Sequence, residues 1–328
     1  MHVRPAQRLV FLGPQSVSAE VFDAGTPGPR EVSVKTLTSA ISAGTEALLW
    51  KGTWPPGMAL DDSWCPEPGS AAYPVSYGYA AVGVVEDLGE GVDSEWQGKT
   101  VFSFTGHQSR SILSLDKLIP LPANLAPEDG VFLASMETAL TLVQDAAPVV
   151  GETVGVWGLG TVGLLASALL SRGFRLRAWD SQAFRRTRAQ AFGVREVVRP
   201  GPDSCDVALE LTGNPAALDE ALEAVRFSGR IVVGSWYGSG PVPVTLGERF
   251  HRSRAQLVSS QVSTVSPVLS GRWTKGRRLA ASIERLEALA PSALVTHRFT
   301  LAEADQAYRQ ACDRPEDGLQ VLFTYGAE

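Results

Sequence analysis

The sequence predicts an α/β protein in three parts: a β-rich segment, an inserted domain with a doubly wound parallel sheet, and a tail that returns to the first part. Three observations predict this. Short β-type runs and turn signals fill roughly the first 120 residues. Strand-like and helix-like runs then alternate, the pattern of a parallel sheet covered by helices. A glycine-rich turn joins the first strand and first helix of that alternation.

In the first part, Glu31–Lys35 alternates as a half-buried strand would. Ala80–Glu86 and Val101–Phe104 are further strands, bounded by glycine turns. Between Lys35 and Ala80, Gly52–Pro74 is dense in Pro, Gly, Trp and Asp and reads as a long functional loop. Gly130–Ala146 is apolar at helical spacing. Strands follow at Thr153–Trp157, Arg175–Trp179, Asp206–Leu211, Arg230–Gly234 and Leu257–Ser259. Helices at Thr161–Ser171, Gln182–Phe192 and Pro215–Val225 alternate with them, the last opened by a proline. In the tail, Lys275–Leu289 and Leu301–Cys312 predict helices, and Leu294–Phe299 and Gln320–Tyr325 strands. The expected domains are 1–125, 126–264 and 265–328.

Composition narrows the function. With 44% hydrophobic and 20% charged residues, the chain of 328 residues is expected to be globular. A net charge of −6 without a basic block argues against nucleic acid as a partner. No apolar run is long enough for a membrane span, and the N-terminal residues lack a secretory pattern. Cys65, Cys205 and Cys312 stand far apart with no CxxC, so the expected compartment is the reducing cytoplasm.

The strongest motif is Gly158-Leu159-Gly160-Thr161-Val162-Gly163, placed between the strand ending at Trp157 and the helix that follows. Gly158 permits the tight turn, Gly160 lets the backbone approach a pyrophosphate, and Gly163 lets helix and strand pack closely. Unpaired N–H groups at the helix start then stabilise phosphate charge. Asp180 ends the next strand, where a carboxylate accepts hydrogen bonds from the adenosine ribose and repels a 2′-phosphate. The expected cofactor is therefore NAD, with NADP as the alternative. Arg185 and Arg186 lie just beyond and leave that alternative open.

With these residues placed, the chain resembles the medium-chain dehydrogenase/reductase superfamily along essentially its whole length. The anchors are Ser42–Glu46, Tyr77–Gly83, the glycine turn, Glu210–Asn214 and Gly229–Gly234. The Ser42–Trp50 segment is also similar to the bacteriochlorophyllide hydroxyethyl dehydrogenases. The resemblance implies a GroES-like catalytic domain with a Rossmann domain inserted before its last segment. Zinc members of the superfamily carry a cysteine where Ala43 stands, and a histidine and an acid where Tyr79 and Ala80 stand. The cysteine-rich structural zinc lobe is also missing between Val101 and Pro122. Zinc needs Cys, His or carboxylate ligands, so no metal is expected.

The resemblance implies a nicotinamide-dependent oxidoreductase acting on an alcohol/carbonyl pair. An NADPH-dependent quinone or enone reductase and a cofactor-binding protein without turnover remain as alternatives. Without a metal, hydrogen-bond donors must meet the charge on the substrate oxygen. Thr45 stands where relatives place a relay hydroxyl, or is a turn threonine. Tyr79 either donates to that oxygen or fills the place of the lost histidine. Glu46 is a structural acid beside the pocket or a base. His107 is an acid–base group or a hydrogen-bonded histidine. Lys51 and Trp54 lie on the long loop as candidate substrate contacts, while His251 and His297 read as structural or solvated. Thr212 and Gly213 should flank the adenosine, and Gly234, Ser235 and Trp236 the nicotinamide ribose, because ligands bind at the carboxyl ends of parallel strands. Ser260 and Gln261 resemble positions that meet the carboxamide, and Thr138 one beside the nicotinamide ring. A small-molecule substrate and a homodimer paired through Val242–Leu246 complete the expectation.

Overall fold

The computed structural model describes residues 4–55, 57, 58, 60, 71–314 and 316–326. The chain divides into two units, one of Met1–Ala134 with Leu286–Glu328 and one of Ser135–Arg285. The borders fall later than the expected 125/126 and 264/265. Composition shifts at Pro127 and Pro267, but helices run on through both borders.

The first unit opens with an antiparallel hairpin, β1 (Pro5–Gly13) and β2 (Ser16–Asp23), which the sequence reading did not predict. Its turn places Gln15 at φ 55°. There follow β3 (Glu31–Ala40), the short helix α1 (Glu46–Trp50), β4 (Ala81–Leu88), β5 (Thr100–Ser103), β6 (Arg110–Ser114) and β7 (Leu118–Pro120). The expected helix over 130–146 is two, α2 (Pro127–Gly130) and α3 (Leu133–Ala146).

The second unit continues with β8 (Thr153–Trp157), α4 (Thr161–Leu170), β9 (Arg175–Trp179), α5 (Ala183–Ala191), β10 (Cys205–Glu210), α6 (Pro215–Ala224), β11 (Val225–Val233), α7 (Arg249–Ser253), β12 (Gln256–Ser259) and α8 (Lys275–Leu289). Its strands are parallel in the order β12-β11-β10-β8-β9. The chain order reverses at β8, between β9 on one side and β10 on the other, which makes their carboxyl ends the switch point. Every residue of β8 is buried, as expected of a strand covered on two faces. Trp157, Ala208, Ala221, Leu222 and Ile231 belong to one apolar cluster against α6. Pro215 starts α6, and the Asn214 side chain caps it by accepting from the Ala216 N–H at 3.0 Å. After α5 the Ala178 N–H donates to the Glu196 carbonyl at 3.1 Å, a further pairing at β9 that the sequence reading missed. The expected edge strand at Val242–Leu246 does not form; the sheet ends on β12. Pro241 and Pro243 remove two ladder donors, and the Thr245 N–H is taken by Asp219 at 2.8 Å.

The chain then returns to the first unit with β13 (Val295–Phe299), α9 (Ala304–Tyr308) and β14 (Gln320–Thr324). The larger sheet runs β13-β14-β3-β4-β5-β7, with β6 also paired to β3. β3 is consequently interior, and Val32, Ser33 and Val34 are all buried rather than alternating. The expected helix over 301–312 is split into a 3₁₀ turn, α9 and a π-turn at Arg309–Asp313. Thr300 and Glu303 form a capping box at its start. At its end the Trp50 indole N–H donates to the Asp313 carboxylate at 3.1 and 3.3 Å. Leu9, Phe11, Leu49, Trp50, Tyr308 and Phe323 fill the core around α1 and α9.

Candidate active site

In the first unit, α1 brings Glu46 inward and 42–45 leads into it. Glu46 is fully buried, and its Oε1 accepts from the Ser42 N–H at 2.8 Å. Its Oε2 accepts from the Tyr308 hydroxyl and meets His107 Nε2 at 3.0 Å. His107 Nδ1 lies 2.7 Å from Ser39 Oγ, which lies 2.8 Å from the Tyr325 hydroxyl. With the imidazole proton on Nε2, the network has one direction. Nε2–H donates to Glu46, Ser39 donates to Nδ1, and Tyr325 donates to Ser39. Burial, followed by the Glu46 charge, holds the Tyr308 hydroxyl well above the ordinary tyrosine value. Burial also raises Tyr325. These phenols are thus neutral donors at neutral pH, as a carboxylate in an apolar core requires.

Tyr79 forms the second part of the cluster. Its hydroxyl donates to Ser42 Oγ and lies 3.4 Å from Thr45 Oγ1. Burial raises its pKa. Ser42 joins the two parts, with its main chain on Glu46 and its side chain on Tyr79. The Tyr77 ring stands edge-on to Tyr79 at 6.1 Å and to Trp54 at 5.7 Å. Trp54 Nε1–H donates to the Met58 carbonyl at 3.2 Å, and Lys51 is exposed at the end of α1. Of the Gly52–Pro74 loop, residues 56, 59 and 61–70, including Cys65, lie outside the described residues. His297 sits in β13 beside Thr296, and His251 is exposed in α7.

A metal set does not fit this cluster. Ala43 and Ala80 carry no ligand atom, and Tyr79 is a buried, protonated donor. Among the described residues, no group of three or more His, Cys, Asp and Glu side chains is placed to hold a metal ion.

In the second unit the glycine turn lies at the carboxyl end of β8. Gly158 has φ 97°, and a Cβ there would meet the Leu211 carbonyl oxygen at 2.6 Å. A Cβ on Gly163 would lie 1.9 Å from the Gly158 carbonyl oxygen. Neither position admits a side chain without moving backbone. Beside Gly160 the space is open, the nearest atom being Arg185 Nη1 at 4.0 Å. Gly160 precedes α4, and Thr161 and Val162 form its first turn with no capping side chain. A pyrophosphate fits such a cradle.

Asp180 is buried, not solvated. Its carboxylate accepts from the Leu159 N–H and the Gln182 N–H, each at 2.8 Å, with Arg185 Nη1 at 3.5 Å. It ties the glycine turn to the start of α5. Arg186 is not free for a phosphate: its guanidinium stacks on Trp179 at 4.5 Å and donates to the Asp180 and Ser181 carbonyls.

Sequence reasoning left several positioning groups unassigned. Glu210, fully buried at the end of β10, accepts from the Thr212 N–H and hydroxyl at 2.6 and 2.5 Å and from the Gly213 N–H at 3.2 Å. Its other oxygen accepts from the Tyr237 hydroxyl at 2.7 Å. Gly213 N–H also donates to Ser235 Oγ at 2.8 Å. The loops after β10 and β11, which carry Thr212, Gly213, Gly234, Ser235 and the half-exposed Trp236, are thereby fastened together. An acid closing an apolar strand was the available signal. Ser260 donates to Asp145 on α3 at 2.7 Å, and the Gln261 side chain turns back onto Ser263. Thr138 lies on α3. Ser39, Tyr308 and Tyr325 left no signal, because they reach the cluster only through the fold.

In sequence and in fold the chain resembles the medium-chain dehydrogenases/reductases. It is 28% identical over 341 residues to a 2-desacetyl-2-hydroxyethyl bacteriochlorophyllide A dehydrogenase of Rhodobacter capsulatus, covering 97% of this chain and 98% of that protein. The 2R,3R-butanediol dehydrogenase from Bacillus subtilis superimposes with a TM-score of 0.79 at 18% identity, over 98% of this chain and 100% of that one. A short chain alcohol dehydrogenase from E. coli CFT073, complexed with NADH, superimposes at 0.78 and 17%, over 98% and 99%. No protein-family model matches the chain.

Proposed function

We propose that this protein is a zinc-independent oxidoreductase that moves hydride between NAD(H) and an alcohol/carbonyl pair. One observation carries the cofactor half: a glycine turn with an open cradle, tied to a strand-end aspartate at the switch point of a parallel sheet. The relatives, dehydrogenases by name, support the reaction class. The Tyr79–Ser42–Thr45 hydroxyls support the metal-free half.

Bound nicotinamide would supply or accept the hydride. Gly158–Gly163 and the start of α4 would hold its pyrophosphate, and Asp180 its adenosine ribose. In the carbonyl-reducing direction negative charge grows on the substrate oxygen. The Tyr79 hydroxyl meets that oxygen as a donor, a role that elsewhere falls to a metal. An alkoxide is far more basic than a phenolate, so proton transfer from Tyr79 runs downhill despite its raised pKa. When the Tyr79 hydrogen turns from Ser42 to the substrate oxygen, Ser42 or Thr45 donates to the phenol in its place, and the proton lost to the product is replaced from solvent. Glu46 and His107 act from behind, by fixing Ser42. We place the protein in the cytoplasm as a homodimer, with β12 as the edge available for pairing. Among the described residues no helix is long and apolar enough to cross a membrane.

The test is direct. Purified protein should quench or enhance NADH fluorescence on binding, prefer NAD(H) over NADP(H), and turn over a member of an alcohol/ketone panel after exhaustive chelation. Activity that vanishes with chelation and returns with zinc would refute the metal-free reading. Preference for NADPH with enone substrates would favour the reductase alternative.

A further inference from the structure

Arg278 is among the largest fully buried side chains of the described protein. It stands on α8, with its side chain 1% exposed, and pairs with Glu137 of α3, whose side chain is 0% exposed. Nε and Nη2 donate to Glu137 Oε1 at 3.1 and 2.9 Å. Nη1 donates to the Thr264 carbonyl at 2.9 Å, and Nη2 also to the Val262 carbonyl. Glu137 Oε2 is buried with no hydrogen-bond partner. A pair this deeply buried costs solvation and is weak evidence for stability by itself. What it does secure is the path of 262–264, because a rigid guanidinium fork fixes two carbonyls at once. Nearby, Ser260 is tied to Asp145, also on α3. The segment 260–264 is thus held from two helices.

That segment leaves the carboxyl end of β12. The aspartate at the end of β9 marks the adenosine side of the switch point. A dinucleotide laid across the sheet therefore extends its second nucleoside over the loops that follow β10, β11 and β12. We infer that Arg278 and Glu137 are positioning residues that hold 260–264 for the nicotinamide half of the cofactor. The inference rests on the dinucleotide reading above.

Binding of NADH and of ADP-ribose, which lacks the nicotinamide, separates the two. Wild type should bind each probe. Arg278→Met frees the Val262 and Thr264 carbonyls and should weaken NADH about tenfold, while ADP-ribose changes by less than about twofold. Arg278→Lys, which keeps charge but not the fork, should fall between. Ser260→Ala removes only the Asp145 tie and should give a smaller loss of the same selective kind. Equal weakening of both probes, or no change in NADH binding by any variant, overturns the inference. If wild type binds neither probe, the dinucleotide reading falls with it.

Discussion

At the Gly158–Gly163 turn the groups we propose to bind cofactor are main-chain N–H groups; at the Tyr79 cluster the groups we propose for chemistry are side-chain hydroxyls. The turn depends on what is missing, the Cβ atoms at Gly158, Gly160 and Gly163. The cluster depends on partners far apart in the chain, such as Tyr308 for Glu46 and Tyr325 for Ser39. A site made of backbone fails when atoms are added. One made of side chains fails when atoms are removed. Each difference can be broken by mutation.

The largest effect is expected at Gly163. Its Cβ would collide with backbone, so Gly163→Val should lower unfolding free energy by about 3 kcal/mol or more and abolish NADH binding. Gly160→Ala should separate these outcomes. Its methyl group meets open space, so stability should change by less than about 1 kcal/mol while NADH affinity drops. Denaturant titration and cofactor fluorescence read the two quantities. Equal destabilisation by both variants would mean that Gly160 is a packing glycine.

Glu46→Ala comes next. It strands the Tyr308 and His107 donors in the core, at a cost of about 3 kcal/mol. NADH affinity should stay within about twofold, since the two sites are built separately. A matching loss of NADH binding would show that they are not.

For Tyr79→Phe the expectation is kinetic. Stability should fall by only about 1 kcal/mol, while kcat falls about a hundredfold with KM little changed. Unaltered kcat would reduce Tyr79 to a space-filling role.

Asp180→Ser tests cofactor choice. NAD affinity should fall and NADP affinity rise, for a net change of about 2 kcal/mol. The gain on NADP is limited, because Arg186 is already engaged over Trp179 and only Arg185 remains to meet the phosphate. A wild-type preference for NADP would remove the basis of this reading.

The smallest effect belongs to an ion pair in neither site. The Arg298 guanidinium holds the Glu128 carboxyl below its usual range. A pKa depressed by folding contributes stability that is present above the unfolded value, about 4.3, and lost as pH falls through the folded one. The pair is partly exposed, so the difference between wild type and Glu128→Gln should be under about 1 kcal/mol at pH 7 and vanish at lower pH. Urea titrations at several pH values measure it; a difference that grew toward acid would have the wrong sign.

Much of the second unit was legible because its signals are local. Five strand expectations there correspond to β8–β12, and Lys275–Leu289 matches α8 residue for residue. The Gly158–Gly163 turn falls where its spacing put it. Less of the first unit could be read. The β1–β2 hairpin turns at Gly13-Pro14, a signal left unused, and the run over 301–312 changes from a 3₁₀ turn to α9 to a π-turn, with Asp313 at its end bound to Trp50. Val242–Leu246 had a strand's composition but no neighbour to pair with.

Sequence alone determined the parallel-sheet unit, the glycine turn at the end of its first strand, the strand-end Asp180 and the absence of a Cys, His or carboxylate at Ala43, Tyr79 and Ala80. Each is a matter of residue type at short spacing. Only the tertiary structure decided that Asp180 is buried on Leu159, that Arg186 is committed to Trp179, and that Glu46 answers to Ser42, His107 and Tyr308. It alone set Arg278 against Glu137. The physical reason is the same in every case: a buried charge or hydroxyl takes whichever partner the fold brings within about 3 Å, and that partner can lie hundreds of residues away.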